Sequence, residues 1–497
     1  MGSTESTAMT TSGISRRMLL ASAGAAALGA FVKSSPFGAT ANAAIRRAAS
    51  WDGPALINPL VLQRADAQIR RDVNGLYYMT GSVPEYDRLV VRASRKLAGL
   101  RDAPETVIWR RPTSGPLGGY IWAPEIHHID GRWYCYFAAG DSDDPFHIRT
   151  YIIASSGRDP REPGWGPPVM LVTAWDTFTL DSTTFVHRGI RYLVWAQHEP
   201  GIDTNSNIYT APLASPTQLG GPPVRIAVPT LPWEIQGFKV NEGPAVIIRN
   251  GRVFMTFSAS ATDARYCMGL LTADADADLL DPASWVKSPE PIFTTSEVTS
   301  VYGPGHNSFT VDERGRDILV YHGRDYRDIV GDPLFDPNRH TRAQRLYWND
   351  DGTPAFGIPV GNGPLPVRLA PLDAPDSYVT HAGAEVALAD PLRIETSQFH
   401  LRDGFAGKGT TSFEALDAPG RFLRATLDGA NLAANDGSPA FAAEASFRRR
   451  NGLADAHASS WEALAIRHAY LSHDAATVRL ATIDDRGARA RATFLVL

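Results

Sequence analysis

The sequence predicts an all-β protein, a five-bladed β-propeller followed by a C-terminal β-trefoil. Three observations predict it: a hairpin signature that recurs five times, a shorter motif that recurs near the C-terminus, and a near absence of long helical patterns between the repeats. At 497 residues the chain exceeds what one core ordinarily serves, so at least two domains are expected.

The N-terminus reads as an address. Ser15-Arg16-Arg17-Met18-Leu19-Leu20 precedes an apolar run from Ala21 to Val32, and Ala41-Asn42-Ala43 follows. A twin-arginine start, a short apolar core and a small-x-small cleavage site are the parts of a Tat export signal, placed here over residues 1–43. The apolar run is short for a bilayer span, so secretion is expected rather than anchoring.

Residues 44–372 carry the fivefold repeat. Its inner segments begin at Ala65-Asp66, Trp122-Ala123, Asp181-Ser182, Glu242-Gly243 and Gly305-His306. Each runs into a turn glycine (Gly75, Gly131, Gly189, Gly251, Gly315) and then into an aromatic or β-branched strand such as Trp133–Phe137 or Val253–Phe257. Strand, glycine turn and strand make a β-hairpin signature. The glycines recur every 56 to 64 residues, room for a four-stranded blade.

Counting eight or nine residues back from each glycine gives Asp66, Trp122, Asp181, Glu242 and His306. A shared position in every blade is a shared place in space, so these five side chains are expected to converge at one end of the axis. Three of them are carboxylates. Two carboxyl groups suffice to hydrolyse a glycosidic bond, one protonating the leaving oxygen and the other activating water. Clustering raises the pKa of at least one acid, and a third carboxylate can tune it. Trp122 offers a flat face to a sugar ring, and His306 a grip on its hydroxyls.

Other readings carry less. A net charge of −5 argues against a chain built to grip nucleic acid or an anionic membrane. Cys135 and Cys267 each lie in an apolar strand-like stretch and are expected as free buried thiols, without a disulfide or metal cluster. The adjacent His127 and His128 point to opposite faces of a strand, which disfavours a shared metal.

From about residue 54 to 370 the chain resembles glycoside hydrolase family 43. The resemblance rests on Ala65-Asp66, Leu180-Asp181-Ser182, Asn241-Glu242-Gly243-Pro244, Trp122-Ala123-Pro124-Glu125 and Gly305-His306-Asn307. It implies a five-bladed propeller that inverts arabinofuranosyl or xylosyl linkages, with Asp66 as base, Asp181 as modulator and Glu242 as acid. Ala67 stands where the family usually has proline. The resemblance further implies Trp122 lining the sugar pocket, His306 at the propeller centre and Arg342 touching substrate. Gly81–Arg88 and Asn338–Arg342 look most like exo-acting α-1,5-L-arabinofuranosidases. No cofactor is required by this chemistry, although a structural Ca²⁺ or Na⁺ near His306 is compatible with it. The expected partner is an arabinose-containing plant cell-wall polysaccharide or oligosaccharide, acted on by a monomer. A β-D-xylosidase and a catalytically inactive sugar-binding propeller are the rivals.

Residues 373–497 form a second object. Ser412-Phe413-Glu414-Ala415-Leu416 recurs as Ser460-Trp461-Glu462-Ala463-Leu464, and Tyr378-Val379 opens an earlier copy. Three short all-β copies fit a β-trefoil, which resembles the arabinofuranosidase B-type module, carbohydrate-binding module family 42. That module pairs a His with an acid in each copy. Here His381 and His473 match the first element and Ala425 breaks it, while the acid position reads Thr396, Glu444 and Arg491. His381, Glu444 and His473 remain the sugar-binding candidates, with a spacer or docking role as the alternative.

Overall fold

The computed structural model describes residues 56–391 and 393–497, so the export signal expected over residues 1–43 lies outside the described residues. Five small antiparallel sheets follow one another along the chain. Their first strands are Ala65–Arg71, Ile121–Ile129, Thr179–His187, Asn241–Arg249 and Tyr302–Val311. In each sheet the next strands in sequence add outward from the first. Each first strand packs beside that of the next blade, and the fifth beside the first, which closes a ring around an axis. The fivefold repeat is therefore a five-bladed propeller.

Apolar residues alternate between two neighbours. Trp133, Cys135 and Phe137 pack toward blade 1 with Tyr78 and Leu89, while Tyr136 packs toward blade 3 with Leu193 and Trp195. Both faces of a blade are buried, so its middle strands read as continuous apolar runs instead of a polar-apolar alternation. Cys135 and Cys267 are free and buried, as their apolar surroundings predicted.

The ring is fastened by the first described residues. Leu60 N–H donates to Thr341 O at 2.7 Å and Thr341 N–H donates to Val61 O at 2.9 Å, on the outer strand of blade 5. Asn58 reinforces the join: its side-chain oxygen accepts from Ala343 N–H at 2.9 Å, and its amide donates to Ala343 O at 3.0 Å and Val360 O at 3.2 Å.

The C-terminal unit is one sheet of twelve strands. Three hairpins recur in it: Tyr378–Ala382 with Glu385–Ala389, Arg421–Ala425 with Ala430–Ala434, and Ala469–Asp474 with Thr477–Thr482. The other six strands pair around a barrel, closed by a bridge between Val367 and Phe399. This is the layout of a β-trefoil. The strand Leu369–Pro371, which the sequence boundary at 373 left in the propeller, pairs with Phe494–Val496 and belongs to the trefoil sheet. The motif repeat has a physical basis: Ser412 and Ser460 hydroxyls donate to the carbonyls of Ala445 and Ala492, both at 2.6 Å. Arg402–Glu414 and Arg450–Glu462 are matching cross-strand ion pairs. Phe413 and Trp461 meet in the core, ring centroids 4.7 Å apart.

Asn58 is buried and leaves the Ala343 N–H without a partner when removed. Asn58→Ala is expected to destabilise the propeller by about 2–3 kcal/mol in a denaturant titration, against a change under about 0.5 kcal/mol for an exposed site such as Val73.

Candidate active site

The first strand of every blade breaks its ladder at the same place. Two residues bulge out opposite one between Ala65 and Gln68, Trp122 and Glu125, Leu180 and Thr183, Glu242 and Ala245, and Gly305 and Ser308. The first bulged residue is left-handed each time: Asp66 (φ 53°), Ala123 (φ 45°), Asp181 (φ 56°), Gly243 (φ 53°) and His306 (φ 42°). A bulge re-aims side chains at the end of a ladder, and non-glycine residues held left-handed carry strain of order 1–2 kcal/mol each.

The expected common position is thereby corrected by one residue in two blades. Asp66, Asp181 and His306 share it, but Trp122 and Glu242 stand one residue earlier, before Ala123 and Gly243. The cause lies at the hairpin turns. In blades 2, 3 and 4 the residue before the glycine is also left-handed (Asp130, Arg188, Asn250), a two-residue turn. In blades 1 and 5 the loop is longer, closed by Asp72 with Leu76 and Asp312 with Arg316. The true spacing is thus nine residues in blades 1 and 5 and eight in the rest.

Asp66 is buried and surrounded by donors. Ser82 Oγ–H donates to its Oδ2 at 2.6 Å. Its Oδ1 lies 3.3 Å from His322 Nδ1, 3.4 Å from His306 Nδ1 and 3.7 Å from Arg339 Nη1. Burial alone would raise this carboxyl, but His306 and Arg339 outweigh it and hold it well below the usual carboxylate range, while burial pushes His322 down to about 4 and leaves its Nδ1 to accept the Asp66 N–H. Arg339 is itself fixed by a bond to the Tyr86 hydroxyl at 2.5 Å.

Asp181 and Glu242 are shifted the other way. Asp181 accepts from Gly243 N–H at 2.9 Å, and burial followed by the charge of Asp66 raises its pKa. Glu242 accepts from the Tyr266 hydroxyl at 2.7 Å, and burial followed by Asp181 raises it further. Asn241, just before it, is held by the fully buried Glu234 at 3.1 Å, which also pairs with Lys287 at 2.7 Å. Burial opposes a charge on His306, yet Asp181, Asp66 and Glu242 outweigh it and raise the imidazole. Its Nδ1 faces both aspartates, at 3.4 and 3.8 Å. Gly243 makes room for this ring, because a Cβ there would stand 3.1 Å from the imidazole Cγ.

Trp122 stands beside this cluster, stacked on Tyr120 with ring centroids 5.5 Å apart. Arg342 is not brought to the site. It is fully buried, ion-paired with Asp325 and aimed at Val360 O. Arg339, three residues earlier, is the arginine that faces Asp66. His127 bonds Glu125 at 2.9 Å while His128 stacks on Trp133, on opposite faces of the strand.

Residues missed in the sequence have a shared signal. Seven residues after each turn glycine come Ser82, Ala138, Ala196, Ser258 and His322, each paired across the ladder with the residue before the bulge. Ser82 bonds Asp66, Ser258 Oγ accepts from His306 N–H at 2.7 Å, and His322 adjoins Asp66. This second ring of positions holds the first in place.

In the trefoil, His381 pairs with Asp417 at 2.8 Å and His473 with Asp373 at 3.0 Å. Asp417 and Asp373 occupy matching Leu-Asp-Ala-Pro segments, so each histidine ties one copy to another. At the third junction both positions are alanine, Ala425 and Ala465. Glu444 is ion-paired with Arg424. None of the three candidates is joined to another.

Comparison with known proteins matches the model of glycosyl hydrolases family 43 to residues 57–354, and that of the alpha-L-arabinofuranosidase B (ABFB) domain to residues 367–496. The chain is 51% identical over 400 residues to an extracellular exo-alpha-(1->5)-L-arabinofuranosidase of Streptomyces avermitilis, covering 80% of this chain and 83% of that one. It is 48% identical over 478 residues to alpha-L-arabinofuranosidase 43 of Humicola insolens, covering 93% and 99%. The crystal structure of an alpha-L-arabinofuranosidase from Lactobacillus brevis superposes with a TM-score of 0.60 at 50% identity, over 62% of this chain and 97% of that one.

Glu242 keeps its proton to higher pH in the fold than in the unfolded chain. The fold therefore loses stability as pH rises from the ordinary value of 4.5 through the raised one. Glu242→Gln, which keeps an acceptor for Tyr266, is expected to melt above the native protein near pH 8. The gap should close near pH 4, where both side chains are neutral; a gap independent of pH contradicts the shift.

Proposed function

Because the chain belongs to glycosyl hydrolase family 43, we propose that it is an exported, inverting exo-acting α-L-arabinofuranosidase that releases terminal arabinofuranose from arabinan or arabino-oligosaccharides. One observation carries the assignment of roles. Within a single buried site, one carboxyl is held ionised by donors and cations, and another is held protonated by burial and a neighbouring acid. A pair of titratable groups pushed apart in this way is a base and an acid.

Glu242 gives its proton to the leaving oxygen as the glycosidic C–O bond breaks and the bonding pair stays on that oxygen. Asp66 takes a proton from the water that attacks the anomeric carbon from the opposite face. Asp181 raises Glu242 and, through the Gly243 amide, fixes the segment that carries it. His306 sits between Asp66 and Asp181 and balances their charge. Trp122, stacked on Tyr120, offers the flat apolar face of its indole to the sugar ring. Arg339 takes the substrate-facing place expected of Arg342.

The named activities of the Streptomyces and Humicola relatives support the arabinofuranosyl substrate over a xyloside. The extracellular relative and the twin arginine of Arg16-Arg17 support secretion by the Tat route. For the trefoil we favour a structural attachment over sugar binding, because His381 and His473 are hydrogen-bonded to Asp417 and Asp373 and Glu444 is ion-paired with Arg424.

Asp66→Ala and Glu242→Ala should each lower kcat by about 10²–10⁴-fold on an arabino-oligosaccharide while leaving the circular dichroism unchanged. The native protein should hydrolyse an aryl α-L-arabinofuranoside in preference to an aryl β-D-xylopyranoside. The reverse preference, or substantial turnover by either variant, sinks the assignment.

A further inference from the structure

Glu242 has one partner that no repeat supplies. Tyr266 precedes the third strand of blade 4, Cys267–Asp274, and its hydroxyl bonds Glu242 Oε1 at 2.7 Å. Its ring lies parallel to His322, at 5.5 Å between centroids and 6° between planes. His322 Nδ1 in turn accepts the Asp66 amide N–H at 3.3 Å and sits 3.3 Å from the Asp66 carboxylate. One stacked pair thus joins the acid on blade 4 to the base on blade 1.

The backbone is shaped around this ring. A Cβ on Gly305 would stand 2.4 Å from Tyr266 Cε1, and one on Gly303 would stand 2.1 Å from Asp263 O, in the loop that carries the tyrosine. Gly305 belongs to the Gly305-His306-Asn307 motif, where only the histidine had a role. Its missing side chain is the space that Tyr266 fills.

Resting on the acid role of Glu242, we propose that Tyr266 is the positioning residue of the acid: it holds the Glu242 carboxyl toward the leaving oxygen and stabilises the carboxylate that remains after the proton has gone. The phenol is itself buried and pushed well above its usual pKa by burial and by Glu242, so it stays protonated and can only donate to a carboxylate. The bond is weak while Glu242 is neutral. It becomes charge-assisted, about twice as strong, as the proton leaves. An interaction that strengthens along the reaction lowers the barrier without tightening substrate binding. The charged or titratable groups facing Glu242 are Asp181, Tyr266, His306 and Asp66; Asp181 and Asp66 raise it, while Tyr266 and His306 lower it.

The test is Tyr266→Phe, which keeps the ring and its stack on His322. On a substrate with a poor, sugar-like leaving group, kcat should fall about tenfold or more with KM changed less than about threefold. On a dinitrophenyl arabinofuranoside, which leaves without a proton, the loss should be under about threefold. The alkaline limb of the pH–kcat profile should move up by about one unit, because the carboxylate has lost a donor. Equal losses on both substrates with an unmoved limb, or no loss on either, overturn the proposal. Gly305→Ala, which crowds the ring from the other side, should reproduce the same leaving-group dependence if Tyr266→Phe does not fold; an equal loss on both substrates there overturns it too. Glu242→Gln run alongside separates the two claims. If it retains turnover on the poor leaving group, the acid assignment fails; if it behaves as an acid variant and Tyr266→Phe does not, only the role of Tyr266 fails.

Discussion

Each first strand of the propeller interrupts its ladder with a two-residue bulge, and the active site depends on that interruption. A regular strand would send alternate side chains into the layers between blades. The bulge turns one residue left-handed and swings it, with its predecessor, toward the centre. Asp66, Asp181 and His306 arrive through the left-handed residue, Trp122 and Glu242 through the one before it. Four of the five left-handed residues are not glycine. That strain is tolerated because the ladder on either side and the second-strand residues Ser82, Ser258 and His322 over-determine the geometry.

The two kinds of position give two chemical environments from one repeat. Asp66, from the left-handed position, meets the hydroxyl of Ser82, two imidazoles and a guanidinium, and stays ionised. Glu242, one residue earlier, meets a phenol and a second carboxyl in a partly buried place, and its pKa is raised. The fold separates the proposed acid from the proposed base through what surrounds each, since their intrinsic affinities for a proton are alike. Gly243 and Gly305 serve the same end by omission, one clearing the His306 ring and the other the Tyr266 ring.

Much of this was legible in the sequence, and the misses have physical causes. The period of the turn glycines revealed the blades, because every hairpin needs its turn. The three carboxylates stood out because each lies near the same offset from a glycine. The offset itself varies by one with loop length, which hid the shift of Glu242 and Trp122. Arg342 and Arg339 differ only in direction along one short segment, and the ion pair with Asp325 that draws Arg342 away is formed in three dimensions. Tyr266 belongs to no repeated position and reaches Glu242 across a gap that only the packing of Gly305 reveals. In the trefoil, the histidines were readable, but their partners Asp417 and Asp373 lie in neighbouring copies rather than their own.

The central claim is that Asp66 and Glu242 act on opposite faces of one bond, so the configuration at the anomeric carbon must invert. The direct measurement is proton NMR of the sugar released in the first minutes from an α-L-arabinofuranoside, before mutarotation. The account predicts that β-L-arabinofuranose appears first and the α anomer grows in later. Release of the α anomer first would mean a covalent intermediate and would contradict it.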